Sequence, residues 1–178
     1  MDARANILGR IGEVSSPSEL PDFPVWEDDL SDLIAKFEER FLFHSGKIAS
    51  ESDLKAWTNL PYCADPDARA YTPSSEEPVA DVWLAEVGFS CADVLVAETG
   101  SILIRAEKMR SRLHSLVPPI HVVFARRNQV VAQLESAFDQ LGSGNAALIT
   151  GPSRTADIEG VLVHGAHGPK ELWLVWID

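Results

Sequence analysis

Apolar positions along this chain follow two different rhythms. Trp26, Leu30, Leu33, Ile34, Phe37 and Phe41 recur at helical spacing, the stripe of an amphipathic helix packed on a core. Glu27, Asp28 and Asp29 put negative charge at that helix's positive end. Ile7, Leu8 and Ile11 predict a shorter helix within residues 1–14, ahead of a turn-rich stretch over 15–24. Leu54, Trp57 and Leu60 share a side behind Ser52, which predicts a third helix with Ser52 as its cap. Residues 1–60 therefore read as helical. Pro61, Pro66, Pro73 and Pro78, with Asp, Ser, Thr and Glu between them, predict an irregular loop or lid over 61–78.

After Pro78 the rhythm changes to short apolar runs broken by Gly and Pro. Strands are predicted at 81–87, 93–97, 101–105, 120–124, 146–149 and 172–177. One helix interrupts them: Val130, Val131, Leu134, Ala137, Phe138 and Leu141 repeat at helical spacing, with Asn128 in the cap position. Strand 120–124, this helix and strand 146–149 make a βαβ unit, which implies a right-handed crossover between parallel strands. The expected fold class is α/β, an open, mostly parallel sheet with flanking helices and ligand sites off its strand ends. At 178 residues one domain over 1–178 is expected, with core sheet and motifs in 79–178.

Composition narrows the function. Hydrophobic residues make up 46%, enough for a real core. Lys and Arg number 15 against 27 Asp and Glu, a formal net charge of -12, which argues against nucleic acid as partner. The densest basic stretch, Arg105, Lys108, Arg110 and Arg112, lacks aromatics for stacking bases but leaves a local anion site open. No apolar run approaches the ~20 residues of a membrane span. Cys63 and Cys91 lack CxxC spacing, so this chain is expected to bind neither structural zinc nor an iron–sulfur cluster. With no signal peptide in view, free thiols and a cytoplasmic location are expected. Cys91 reads as a buried small hydrophobe.

Three polar segments carry candidate chemistry. In Glu98-Thr99-Gly100-Ser101 a carboxylate and two hydroxyls stand at a glycine-permitted bend, placed to contact or attack a ligand, or simply to make a tight turn. In Thr150-Gly151-Pro152-Ser153-Arg154-Thr155-Ala156-Asp157, Gly151 permits close backbone approach, Ser153 or Thr155 can cap a short helix reaching Val161, and free amides with Arg154 make an anion cradle. The alternative is a capped turn with Arg154 paired to Asp157 or Glu159. In His164-Gly165-Ala166-His167-Gly168-Pro169, a histidine held in a glycine-rich ligand loop fits better than a metal site. His114 and His121 read as packing or surface residues, and Trp173 and Trp176 as core and edge.

Taken in order, Ala92-Asp93 through Glu98-Thr99-Gly100-Ser101, Leu116-Val117-Pro118-Pro119-Ile120-His121, Ile149 through Glu159, and His167-Gly168-Pro169-Lys170 resemble the lactate-utilization protein C family, the LUD-domain proteins. The resemblance covers roughly the last hundred residues. It implies a fold like that of ribose-phosphate isomerase, glucosamine-phosphate deaminase and the CoA transferases. It also implies a non-redox part in L-lactate oxidation to pyruvate, beside two partner proteins of which at least one carries iron–sulfur clusters. Homo-oligomerisation stays open. The sequence departs from the family at 105–110, commonly a more glycine-rich turn, and before Pro78. On this reading a small anion is held by Thr99, Gly100, Ser101, Gly151, Ser153, Arg154, Thr155, Asp157, His167 and Gly168. The competing expectation is a free-standing sugar-phosphate or CoA-thioester enzyme with Glu98 as nucleophile or base, by analogy with the glutamate of CoA transferases. A regulatory binding module is the third.

Overall fold

The computed structural model describes Arg4 and residues 32–109, 111–141, 144–155, 163–164 and 167–177. In chain order the elements are α1 (Leu33–Phe43), β1 (Lys47–Ile48), α2 (Glu51–Ala56), β2 (Tyr62–Ala64), β3 (Val87–Cys91), β4 (Val94–Val96), β5 (Ser101–Arg105), β6 (Ile120–Ala125), β7 (Val130–Val131), α3 (Leu134–Leu141), β8 (Ala146–Ile149), β9 (Arg154–Thr155), β10 (Val163–His164) and β11 (Glu171–Trp176). Two sheets organise them. The first is parallel throughout, in the order β1-β11-β6-β3-β2. The second runs β7-β4-β5-β8, antiparallel except for β4 with β7. A two-stranded ribbon pairs β9 with β10.

The parallel sheet is covered on both faces, which explains why β6 reads as a near-continuous apolar run rather than an alternation. On one face Val122 and Phe124 of β6 join Val87, Phe89, Trp57 and Ala68. On the other, Val123, Leu172 and Leu174 pack against Leu95, Ile102 and Ile104 of the second sheet and against Phe37 and Phe41 of α1. The second sheet's outer side, Val94, Val96 and Leu103, is closed by Ala137, Leu134 and Leu141 of α3. Helix α1 starts where Asp32 Oδ1 accepts from the Ala35 N–H at 3.0 Å.

Several expectations are corrected. The crossover unit fails: β8 pairs antiparallel with β5, not in the sheet that holds β6. Because α3 covers the second sheet, the chain leaving it meets that sheet's open edge first. Val130 and Val131 are strand rather than helix, paired with Leu95 and Val96, as their β-branching favours. Asn128 lies in a 3₁₀ turn, Arg127–Gln129, so it caps nothing in α3. Ser50, not Ser52, caps α2, in a reciprocal pair with Asp53. Residues 82–84 form a 3₁₀ turn and the strand begins at Val87. The proline-rich segment opens with a buried strand, β2, and a 3₁₀ turn, Pro66–Tyr71. Apart from Arg4, the helix expected within 1–14 lies outside the described residues, as do residues 26–31 of the long helix and 156–161 of the short one.

Candidate functional site

The glycine-bounded loops after β8 and before β11 meet. The Ser153 N–H donates to the Pro169 carbonyl at 2.9 Å, and a Cβ on Gly168 would stand 3.1 Å from that of Ser153. With β8 and the 3₁₀ turn Arg112–Ser115, these loops wall a cavity of about 380 Å³. Gly151, Ser153, His167 and Gly168 line it beside Thr150, Arg112, Ser115 and His121, while Leu116, Ala147, Ile149 and Leu172 supply an apolar side. Among the described residues no Asp or Glu lines this cavity, in a chain of 27 acidic residues. Its one formal cation among the described residues is Arg112, from the basic stretch that the sequence singles out.

Other motif residues are engaged elsewhere. Gly151 has φ +80°, and a Cβ there would lie 2.3 Å from the His44 carbonyl oxygen, so a glycine alone lets this loop press on the end of α1. Arg154 Nη2 donates to that same carbonyl, satisfying a C-terminal group of the helix. Arg154 and Thr155 are extended in β9, where Arg154 pairs with His164; the short helix that Ser153 or Thr155 is expected to cap lies outside the described residues. Asp157 lies outside the described residues.

The Glu98–Ser101 bend divides its duties. Gly100, at φ +66°, lets α1 approach so closely that a Cβ would sit 2.4 Å from the Phe41 nitrogen. Thr99 Oγ1 donates to Ser101 Oγ at 2.8 Å, and Ser101 Oγ lies 2.6 Å from Thr150 Oγ1. Three hydroxyls thus run from the bend to the cavity wall. The exposed Glu98 instead accepts from the Leu134 N–H at 3.3 Å, at the start of α3 where backbone donors lack partners.

The largest buried polar arrangement is one that motif reasoning passed over. Asp65 after β2, Ser90 of β3, His121 of β6 and His114 are all buried. His114 Nδ1 stands 2.9 Å from Asp65 Oδ1, Ser90 Oγ donates to Asp65 Oδ2 at 2.9 Å, and His121 Nε2 lies 3.1 Å from Ser90 Oγ. Gly88 makes room for it: a Cβ there would meet the His114 carbonyl oxygen at 1.9 Å. His114 also lines a second cavity, of about 520 Å³, with Cys63, Arg69, Glu77, Asp81 and Ser111. Burial, opposed by the Asp65 carboxylate, holds His121 neutral by pushing its imidazole down to about 4. Its Nδ1 is shielded and has no partner, a cost of about 1–3 kcal/mol for a buried polar atom.

The signal for this network was a polar residue inside an apolar run: Ser90 within β3 and His121 within β6. Such a side chain needs a partner, because an unpaired one is expensive in low dielectric. The thiols are quiet. Burial, reinforced by Asp65, pushes Cys63 up to about 12, and burial with Asp67 and Asp65 pushes Cys91 up to about 11. Cys91, expected buried, is half-buried, and Cys63 is the buried one. No helix among the described residues is long and apolar enough to cross a membrane.

Comparison with known proteins places these features in company. A family model described as the LUD domain matches residues 11–177. An uncharacterized protein of Neisseria meningitidis is 34% identical over 125 residues, 61% of this chain and 54% of that protein. Lactate utilization protein C of Macrococcus caseolyticus is 33% identical over 103 residues, 53% of this chain and 45% of that one. Its counterpart in an Exiguobacterium species is 30% identical over 163 residues, 83% and 67% of the two chains. The chain spans about half the length of the first two relatives. The crystal structure of a DUF162 family protein from Deinococcus radiodurans superposes with a TM-score of 0.61 at 20% identity, covering 87% of this chain and all of that one.

Proposed function

This chain belongs to the LUD-domain family, and from that premise we propose that it serves L-lactate utilization as a non-redox component that holds a small organic anion in the cavity between β8 and the His167 loop. The observation that carries the reading is the wall itself: one guanidinium, several hydroxyls and backbone amides, and no carboxylate among the described lining residues of a strongly acidic chain. An anion avoids like charge there and meets donors, while the apolar side accommodates a short hydrocarbon part. Relatives named lactate utilization protein C support the biological setting.

Electron transfer falls to iron–sulfur partner proteins on this reading, since the two cysteines of the chain stand 28 positions apart in sequence, one buried and both with raised thiols. Glu98 is left out of the site because its carboxylate already serves α3. Calorimetric titration with L-lactate, pyruvate and acetate tests the proposal. Binding of a small carboxylate, weakened about tenfold by Arg112→Gln, is expected, on the order of the 1.4 kcal/mol a charged contact supplies. Binding unchanged by Arg112→Gln, or none at millimolar acid, removes the site. Loss of growth on lactate when the gene is deleted, restored by the intact gene, tests the setting.

A further inference from the structure

The cavity of about 520 Å³ shares the 3₁₀ turn Arg112–Ser115 with the smaller one. Such a turn repeats every three residues, and that register sorts its side chains: Ser111 and His114 line the larger cavity, Arg112 and Ser115 the smaller. The guanidinium goes to one side and the imidazole to the other. In charge the larger cavity is the opposite of its neighbour. Arg69, its one cation among the described lining residues, is tied to Glu77 at 2.6 Å, which leaves the Asp81 carboxylate as the net charge of the described wall. Asp81 Oδ1 accepts from the Trp83 backbone N–H at 3.1 Å, and this bond fixes the turn that sets the indole, 72% exposed, on the same wall.

His114 supplies the second observation. Its Nδ1, 2.9 Å from Asp65 Oδ1, carries a proton because a carboxylate oxygen only accepts, so in the neutral ring Nε2 is a lone pair. That nitrogen has no partner among the described residues, and unlike His121 Nδ1 it is not sealed off. On a residue nine-tenths buried, the opening is toward the cavity that the ring lines.

We propose that this larger cavity is a second binding site, for a small organic primary ammonium: Asp81 pairs with its charge, the Trp83 ring covers it, and His114 Nε2 accepts one of its protons. An ammonium has three donors and no acceptor, which suits a wall of carboxylate, hydroxyl and bare imidazole nitrogen. An indole face adds attraction for a cation and little for a neutral group. Asp65 is the positioning residue, since its carboxylate decides which nitrogen of His114 faces the ligand. The proposal stands independently of the small-anion reading of the neighbouring cavity.

Three probes titrated into the full chain at about pH 8, where a histidine of ordinary pKa is neutral, separate these contributions: benzylamine, benzyltrimethylammonium and benzyl alcohol. Benzylamine is expected to bind about tenfold more tightly than benzyl alcohol, and more tightly than benzyltrimethylammonium, which keeps ring and charge but has no N–H to give. In long-range ¹H–¹⁵N spectra it should move His114 Nε2 toward a hydrogen-bonded acceptor and leave His167, in the other cavity, in place. Asp81→Asn keeps an oxygen for the Trp83 N–H and removes the charge, so benzylamine should weaken about tenfold. Arg112→Gln should leave benzylamine binding unchanged. Equal binding of amine and alcohol, or no effect of Asp81→Asn, overturns the cation site. Equal binding of the two cations with His114 unmoved overturns the part given to its Nε2. If none of the three binds at millimolar concentration, the site is removed, while carboxylate binding sensitive to Arg112→Gln would still stand.

Discussion

The buried Asp65–Ser90–His114–His121 network and the glycine bends at Gly100 and Gly151 use polar residues in opposite ways. At the bends, polar side chains sit beside element ends and complete backbone hydrogen bonding: Glu98 for the first turn of α3 and Arg154 for the His44 carbonyl that ends α1. In the network, Ser90 and His121 stand within strands that otherwise carry mostly apolar residues, and with Asp65 and His114 they satisfy one another except at His121 Nδ1. The first arrangement is what any helix terminus needs. The second is costly unless something beyond stability retains it, because apolar side chains of similar size would fill the same space without desolvation.

Deleting the hub of the network is the largest test of that contrast. Asp65→Ala strands the Ser90 hydroxyl and the His114 Nδ1–H in the interior, so a loss of about 3–5 kcal/mol is expected in denaturant titration. A loss under about 1 kcal/mol would mean that water takes over both donors and that the network is no more committed than the bends. The next effect is pH. The His121 imidazole, lowered to about 4 by burial, takes up its proton far less readily folded than unfolded, where about 6.5 applies. The unfolded chain therefore binds more protons between those values, and stability is full above about pH 6.5 and falls as pH drops toward 4. The expected loss is about 3 kcal/mol, and it should be largely absent in His121→Phe.

How much was legible in the sequence follows the same divide. The helical stripe through Phe37 and Phe41 and the apolar runs of β4, β5, β6 and β11 revealed themselves through periodicity, since each side chain's burial depends on its own element. Pairing did not, because Ile149 is equally apolar whether it faces Ile102 antiparallel or a parallel neighbour; only α3's place on the second sheet decides it. Val130 and Val131 fitted a helical repeat by coincidence with Leu134, and strand pairing overrode that pattern. Gly151, Ser153, His167 and Gly168 were visible as motif residues, and they share one cavity. Arg112, Ser115 and His121 complete its wall; Arg112 stood out only as part of a basic stretch and His121 only within the Leu116–His121 segment, and neither was joined to the site. Asp65 and Ser90 stand 25 positions apart, a partnership that a single sequence cannot display.

Gly151→Ala tests the other side of the comparison at intermediate size. The substitution forces an L side chain into the left-handed region at φ +80° and drives a methyl to 2.3 Å from the His44 carbonyl. A loss of about 2 kcal/mol is expected, together with a weaker hold of Arg154 on the end of α1. Should the variant melt like the parent, the bend is free to relax and Gly151 is there for ligand approach alone.

The smallest effect separates capping from catalysis. Glu98→Gln keeps an oxygen able to accept from the Leu134 N–H but removes the charge that interacts with the N-terminus of α3. A terminus effect at an exposed site is about 0.3–1 kcal/mol and is screened by salt. The variant should therefore lose well under 1 kcal/mol, show a smaller difference from the parent at 1 M salt than at low ionic strength, and bind small carboxylates as the parent does. A variant of parental stability that no longer supports growth on lactate would place Glu98 in the chemistry, joining the glycine bend to function and removing half of the contrast drawn between bend and network.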